Sequence, residues 1–174
     1  MMDNNREFKR AERVDGRKES TTVNDQLYDV VKLEQYLTDH EQEFPATEIP
    51  LSDELIQSSV SEGNYYWGTK DEQKLGPHDF IVLWESYKES GNSDVDEFLE
   101  SLKNSHPNWI VHIESIQRAA NNLENPIWIY GDKEVHSHPF DGMHRLTRAI
   151  LEGRESIKAI VWNSLPDEAK IDQH

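Results

Sequence analysis

Five consecutive residues, Asp141-Gly142-Met143-His144-Arg145, place a carboxylate, an imidazole and a guanidinium around one glycine. Glycine permits a positive φ and a close approach by a ligand. The apolar residues that follow have the spacing of one helical face, which predicts a helix beginning near Arg145. Unpaired amides at the start of a helix bind anions, above all phosphate. The pattern therefore predicts an anion site at this junction.

Each residue of the stretch has a chemical role in this prediction. The amides of Gly142 and Met143 would hold the phosphate, with His144 as a titratable donor and Arg145 as a planar bidentate donor. Asp141 would bind the magnesium ion of a nucleotide or take a proton, unless it only caps the helix. On spacing alone, an N-cap aspartate followed by a surface His-Arg pair explains the same residues equally well.

Other histidines lie near the motif in sequence or border the apolar face of a predicted helix. His136 and His138 alternate on the preceding extended segment and suggest a metal cluster with His144. No carboxylate or cysteine joins them at a standard metal-ligand spacing, which weakens that interpretation. His112 borders the apolar face of an earlier helix, where packing explains it as readily as a ligand does.

The elements that must position the motif are predicted from hydrophobic spacing. An apolar strand is expected at Ile127–Tyr130, an extended segment at Val135–Phe140 and a closing strand at Ile157–Trp162. Gly153 is placed to end the intervening helix. Three amphipathic helices precede these strands, with apolar residues at helical spacing within residues 80–87, 95–102 and 109–123.

The first half of the chain gives weaker patterns. A helix capped by Asn24 or Asp25 competes with a short strand followed by a helix at Leu33–Asp39. Glu48–Leu51 is predicted as extended, with a helical turn starting at Ser52. Residues 61–78 are predicted as a long loop that carries Tyr65-Tyr66-Trp67. These aromatics could stack on a base or cover a pocket, but we favour packing on the edge of the core.

Charge and cysteine content exclude several classes of protein. The chain has no cysteine, which excludes disulfides, thiol catalysis and Cys-ligated metals. Its net charge is −16, and residues 34–100 alone carry 17 Asp/Glu against three Lys/Arg. Sequence-independent DNA binding depends on many Lys/Arg contacts to phosphates, so we do not expect it. With no export signal and no apolar run of membrane length, we expect a cytoplasmic protein with no membrane partner.

The order of these segments resembles a known superfamily. The string DGMHRLTRAILEGRESIKAIVW, preceded by a helix with His112 and by Asn125-Pro126-Ile127, is similar to the ParB/sulfiredoxin superfamily, and more closely to its small stand-alone ParB-like nuclease domain proteins. The similarity covers roughly residues 109–165. It implies an α+β domain with a small mixed sheet flanked by helices, and a nucleotide phosphate at the motif helix. It also raises the prediction that His112 acts with Asp141 and His144 in catalysis.

Departures from the superfamily narrow the expected function. The chain lacks the cysteine of sulfiredoxin, and only 12 residues follow Trp162, where ParB carries its DNA reader. Free-serine kinases of the superfamily use an Asp-Gly-x-His-Arg motif, which implies an ATP- or ADP-dependent phosphotransferase or a nucleotide hydrolase using Mg²⁺. Glu48 or Asp53 would deprotonate the acceptor. A non-catalytic nucleotide switch or a protein-binding effector remains the alternative, and a nuclease ranks last because no carboxylate cluster could hold two metals.

We expect one domain at residues 23–165, a disordered or frayed arm at residues 1–22 and a C-terminal tail at residues 166–174.

Overall fold

Two apolar strands, β4 (Ile127–Tyr130) and β6 (Ser156–Trp162), pair in parallel at the centre of a four-stranded sheet. Strand β3 (Thr47–Pro50) pairs antiparallel with β6, and β5 (Pro139–Asp141) pairs antiparallel with β4. The resulting order is β3-β6-β4-β5. The computed structural model describes residues 20–172 except residues 24, 63, 68–74 and 132–138. The predicted α+β class with a small mixed sheet is confirmed.

Six α-helices surround this sheet in the described part of the chain: α1 (Val30–Asp39), α2 (Glu54–Val60), α3 (Pro77–Glu89), α4 (Val95–Ser105), α5 (Ile110–Ala119) and α6 (Met143–Leu151). Aspartates 29, 53 and 94 cap α1, α2 and α4 by accepting bonds from first-turn amides. Just after helix α6, Gly153 adopts a left-handed conformation, and the Arg154 amide donates to the Ala149 carbonyl. This is the glycine-dependent stop that the sequence predicted.

Alternation along the central strands divides the core into two faces. Ile127 and Ile129 of β4 pack on α2 and α6, whereas Trp128 packs on α1 with Trp162 of β6. Successive side chains of a strand point to opposite faces, so both faces of the sheet are covered. A third cluster joins α3, α4 and α5 to the far side of α6 through Phe80, Phe98, Ile113 and Leu151, among others. Helix α6 is therefore packed on two sides.

An ion pair between a buried guanidinium and an exposed carboxylate joins α6 to α4. The Arg148 side chain is only 5% exposed and donates to Asp96 at 2.8 Å and to Glu152 at 3.2 Å. Burial works to lower the pKa of Arg148, but its bonds to the two carboxylates outweigh this and raise it. The bond from Arg148 lowers the pKa of Asp96.

Both predicted ends of the domain are corrected. The arm was expected to extend to residue 22, but Ser20–Val23 form strand β1, which pairs antiparallel with β2 (Gln26–Asp29). The tail from residue 166 was expected to lie outside the domain, but Ala169 is fully buried and the Ile171 amide donates to the Leu27 carbonyl at 2.9 Å. Apolar side chains and backbone pairing hold both segments on the α1 face.

Other boundaries shift by a few residues. The strand-then-helix alternative holds at residues 26–39, although α1 already begins at Val30. Asp53 caps α2 rather than Ser52, Asp94 caps α4, and α6 begins at Met143 rather than at Arg145. In the described part of the chain, no helix combines the length and apolar character needed to span a bilayer.

Candidate functional site

Gly142 makes the turn from strand β5 into helix α6. Its φ is 90° and its ψ is 23°, the left-handed region that glycine adopts most readily. A Cβ at this position would lie 2.7 Å from Cγ2 of Ile127, so a larger residue would strain the turn and displace β4. The first intrahelical bond runs from the Leu146 amide to the Gly142 carbonyl. The earlier amides of the turn thus lie outside the regular helical pattern.

Asp141 and Arg145 form a partly buried ion pair beneath this turn. Arg145 Nη2 donates to Asp141 Oδ2 at 3.3 Å, and the exposed fractions of the two side chains are 17% and 10%. Arg145 Nη1 also donates to the carbonyls of Asn125 and Pro126, at 2.7 Å and 3.0 Å. Arg145 therefore ties the start of α6 to the chain that enters β4. Gly142, rather than Asp141, occupies the N-cap position.

His112 and His144 meet across helices α5 and α6. Nδ1 of His112 lies 3.0 Å from Nε2 of His144, and the two rings are inclined by 22°. His112 is only 2% exposed. The sequence left His112 open between packing and function, and the structure places it in direct contact with the motif histidine.

Trp67 covers this histidine pair. Its ring stacks on His144 with a centroid distance of 4.4 Å and an interplanar angle of 6°. The corresponding values for His112 are 5.1 Å and 18°. The indole also meets Tyr65 and Phe80 edge-on, so it closes the core edge as predicted while lying against two predicted site residues. In the sequence, the position of Trp67 at the site was indicated only by the adjacent aromatic residues in a loop bounded by glycines.

A backbone hydrogen bond and a close approach at Gly76 fix the position of Trp67. Its amide donates to the Leu75 carbonyl at 2.8 Å. A Cβ at Gly76 would overlap the Tyr65 carbonyl oxygen, so the two segments can approach this closely only with glycine there. The indole Nε1 of Trp67 is buried without a hydrogen-bond partner in the described structure.

The carboxylates predicted to act on the acceptor lie elsewhere. Glu48 belongs to β3 and Asp141 to β5, which are opposite edges of the sheet, about 14 Å apart at normal strand spacing. Glu48 accepts from Ser156 at 2.8 Å, and Asp53 caps α2 by accepting from the Leu55 amide at 2.9 Å. The structure therefore does not bring Glu48 to Asp141, and it gives Asp53 a helix-capping role.

Metal-binding groups are limited near the motif. His136 and His138 lie outside the described residues. Within the residues that are described, no group of three or more His, Cys, Asp or Glu side chains is arranged to hold a metal ion. The Asp141 carboxylate is a hard oxygen ligand of the type that Mg²⁺ accepts, but one carboxylate binds this ion only together with substrate phosphates and water. Asp141 alone therefore does not make a magnesium site.

Comparison with known proteins gave no match among family models, curated proteins or solved structures. The resemblance to the ParB/sulfiredoxin superfamily stays a prediction.

Proposed function

We propose that this protein binds the phosphates of a nucleotide at the start of helix α6. The observation that carries the proposal is the helix start after the left-handed Gly142, where the first-turn amides precede the first intrahelical bond and lie beside the His112–His144 pair. Amides at a helix start and a polar histidine pair together suit a phosphate better than a neutral ligand. The Asp-Gly-x-His-Arg pattern resembles the motif of nucleotide-using kinases in the ParB/sulfiredoxin superfamily, which supports the same ligand class.

In this proposal, Arg145 positions the site and contributes charge to it. Its bonds to two backbone carbonyls and to Asp141 hold the turn that presents the amides. Gly142, Met143 and His144 contribute the donors closest to the phosphate. The Asp141 carboxylate takes part by binding the Mg²⁺ of the bound nucleotide.

We further propose that the bound nucleotide is turned over, either by phosphoryl transfer to a hydroxyl or by hydrolysis. Such reactions depend mainly on positioning and charge neutralisation, which a few residues supply. His144, paired with His112, can donate a proton to the phosphate during turnover, whereas Glu48 lies at the far edge of the sheet.

The second candidate is nucleotide binding without turnover, in a switch or a protein-binding effector. The Asp141–Arg145 pair favours it, because both side chains already have roles in holding the fold. A nuclease is the least favoured activity, since the net charge of −16 repels a nucleic acid backbone.

A nucleotide panel with Mg²⁺ tests the proposal. Stabilisation by ATP, ADP and CTP is measured by thermal shift, where a ligand at a hundred times its dissociation constant adds about 2.7 kcal/mol. Product formation is followed in the same samples. We expect Asp141→Asn to lose turnover, whereas Asp94→Asn, which changes an exposed helix cap, retains it.

Full activity of Asp141→Asn would remove Asp141 from the proposed machinery. Binding without product in the unaltered protein would select the switch, and no stabilisation by any nucleotide would refute the proposed function.

A further inference from the structure

The geometry of the histidine pair limits the number of protons that the two rings can bind. With Nδ1 of His112 and Nε2 of His144 only 3.0 Å apart, one nitrogen must donate and the other accept. The neutral pair holds two hydrogens on its ring nitrogens, and one of them lies in this bond. A third hydrogen gives a single positive charge with both outer nitrogens protonated. A fourth would place two hydrogens between the same two nitrogens and force the rings apart.

Trp67 favours the singly charged state. Its ring lies parallel to both imidazoles, so the negative face of the indole covers whichever ring carries the charge. A cation over an indole gains about 0.5–2 kcal/mol, with the larger values when water is excluded. His112 is buried, which strengthens the attraction to the indole but also penalises the charged ring, so Trp67 offsets part of that desolvation cost.

The start of α6 opposes that charge until an anion binds. The N-terminal end of a helix carries partial positive charge and disfavours a nearby cation. His144 lies in the first turn, so an extra proton on the pair is disfavoured without a ligand. A phosphate at the same turn reverses the sign of the local field. Binding of the anion and uptake of the proton then favour each other, as linkage requires.

We propose that Trp67 and His112 are positioning residues that limit the His112–His144 pair to one added proton, so that the site binds a phosphate-bearing anion with uptake of that proton. This inference rests on the proposed function and extends it to the protonation state of the site. It also assigns a role to Trp67, which lies outside the Asp141–Arg145 motif.

The other charged or titratable groups near the pair belong to the elements around it. Arg145 is bonded to Asp141, Arg148 to Asp96 and Glu152, and Glu114 lies 4.0 Å from Arg118. Asp79 accepts from the Gly76 amide at 2.9 Å, and His78 precedes it in the first turn of α3. Tyr65 meets Trp67 edge-on. His78 is a histidine outside the pair on the neighbouring helix α3, so its variant serves as a control.

The proposal is tested by calorimetric titration of Mg·ATP in buffers of different ionisation enthalpy. The buffer dependence of the heat gives the number of protons taken up. We expect uptake approaching one proton per nucleotide, with an affinity that falls about tenfold per pH unit above the midpoint of the pair. His144→Gln, whose amide replaces Nε2, should lose the uptake, while His78→Gln should keep it.

A second series separates the role of Trp67 from correct folding. Trp67→Phe retains an aromatic face and should retain proton uptake, whereas Trp67→Leu should reduce it. Gly76→Ala, which pushes the Tyr65 carbonyl away, should act like Trp67→Leu. Histidine NMR of the ligand-free protein should show the pair gaining one proton, not two, between pH 8 and pH 5, about 1.5 units either side of an ordinary histidine pKa.

The outcomes distinguish the two proposals. Mg·ATP binding with equal proton uptake in the unaltered protein and in His144→Gln would overturn this inference and leave the proposed function intact. Two independently titrating rings in the ligand-free protein would also overturn it. No binding of Mg·ATP would refute the proposed function, and this inference with it.

Discussion

At the scale of single residues, Arg145 shows how one side chain can belong both to a site and to the fold. Its guanidinium satisfies two backbone carbonyls and one carboxylate. The motif string predicted a residue that faces the ligand, because an arginine after a glycine turn suggests phosphate binding. The bonds to Asn125 and Pro126 depend on a chain segment 19 and 20 residues away, which local sequence could not reveal.

Replacing Arg145 with lysine should destabilise the fold by about 2–3 kcal/mol, because an ammonium cannot reproduce the planar fork and a mostly buried carboxylate is left poorly paired. Urea unfolding measures the change. Arg154→Lys is the matched control, since Arg154 is 45% exposed and should change stability by less than about 0.5 kcal/mol. Equal effects at the two positions would show that Arg145 has no anchoring role.

At the scale of elements, the junction of β5 and α6 depends on a glycine with a left-handed backbone and no space for a side chain. The sequence predicted the strand β4, the helix α6 and its stop at Gly153 from apolar spacing and glycine position. It could not predict that Trp67 lies on both histidines. That contact joins three separate segments, and only their packing brings them together.

Gly142→Ala should cost about 3 kcal/mol, combining a left-handed conformation with overlap at Ile127. Gly91→Ala is the control, because Gly91 has a similar φ of 92° but nothing within 4 Å of an added Cβ. That substitution should cost only about 1–2 kcal/mol, from backbone strain alone. The two variants are compared by their urea midpoints. A cost at Gly142 no larger than at Gly91 would mean that the approach to Ile127 is unimportant.

At the scale of the whole molecule, the two ends of the described chain complete the core. Strand β1 pairs with β2, and the segment after Pro166 returns to bond with Leu27. Polar composition suggested an arm and a tail. The prediction was wrong at both boundaries because a few well-placed apolar residues, such as Val23 and Ala169, suffice to dock a polar segment.

Ala169→Asp should therefore lower the free energy of unfolding by at least about 3 kcal/mol, because it places an unpaired carboxylate in the α1-side core. Asp167→Ala alters a neighbouring side chain that is 90% exposed and should change stability by less than about 0.5 kcal/mol. Thermal unfolding compares the two. A tolerated aspartate at residue 169 would mean that the C-terminal segment is not part of the core.

The stability of the molecule in acid should depend in part on the Arg148–Asp96 ion pair between α4 and α6. The bond from Arg148 lowers the pKa of Asp96 from its ordinary 3.8, so the unfolded chain binds this proton more readily than the folded one. The stabilisation is present above pH 3.8 and is lost as the pH falls through the lower folded value. Because Asp96 is 68% exposed, its contribution should be under about 1 kcal/mol.

Asp96→Asn should weaken the dependence of the free energy of unfolding on pH below pH 5. Urea unfolding at intervals of pH in this range measures the change. Asp94→Asn leaves Arg148 paired and should keep it. An unchanged acid dependence in Asp96→Asn would show that the bond seen in the structure has no effect in solution.

The most direct test of nucleotide binding at α6 is an amide NMR titration with Mg·ATP. We predict saturable shifts centred on the amides of Gly142, Met143 and His144, with little change at Leu55 and Glu97, which lie at the starts of α2 and α4. Saturable shifts confined to other segments, or no saturable shift at those three amides, would contradict the account.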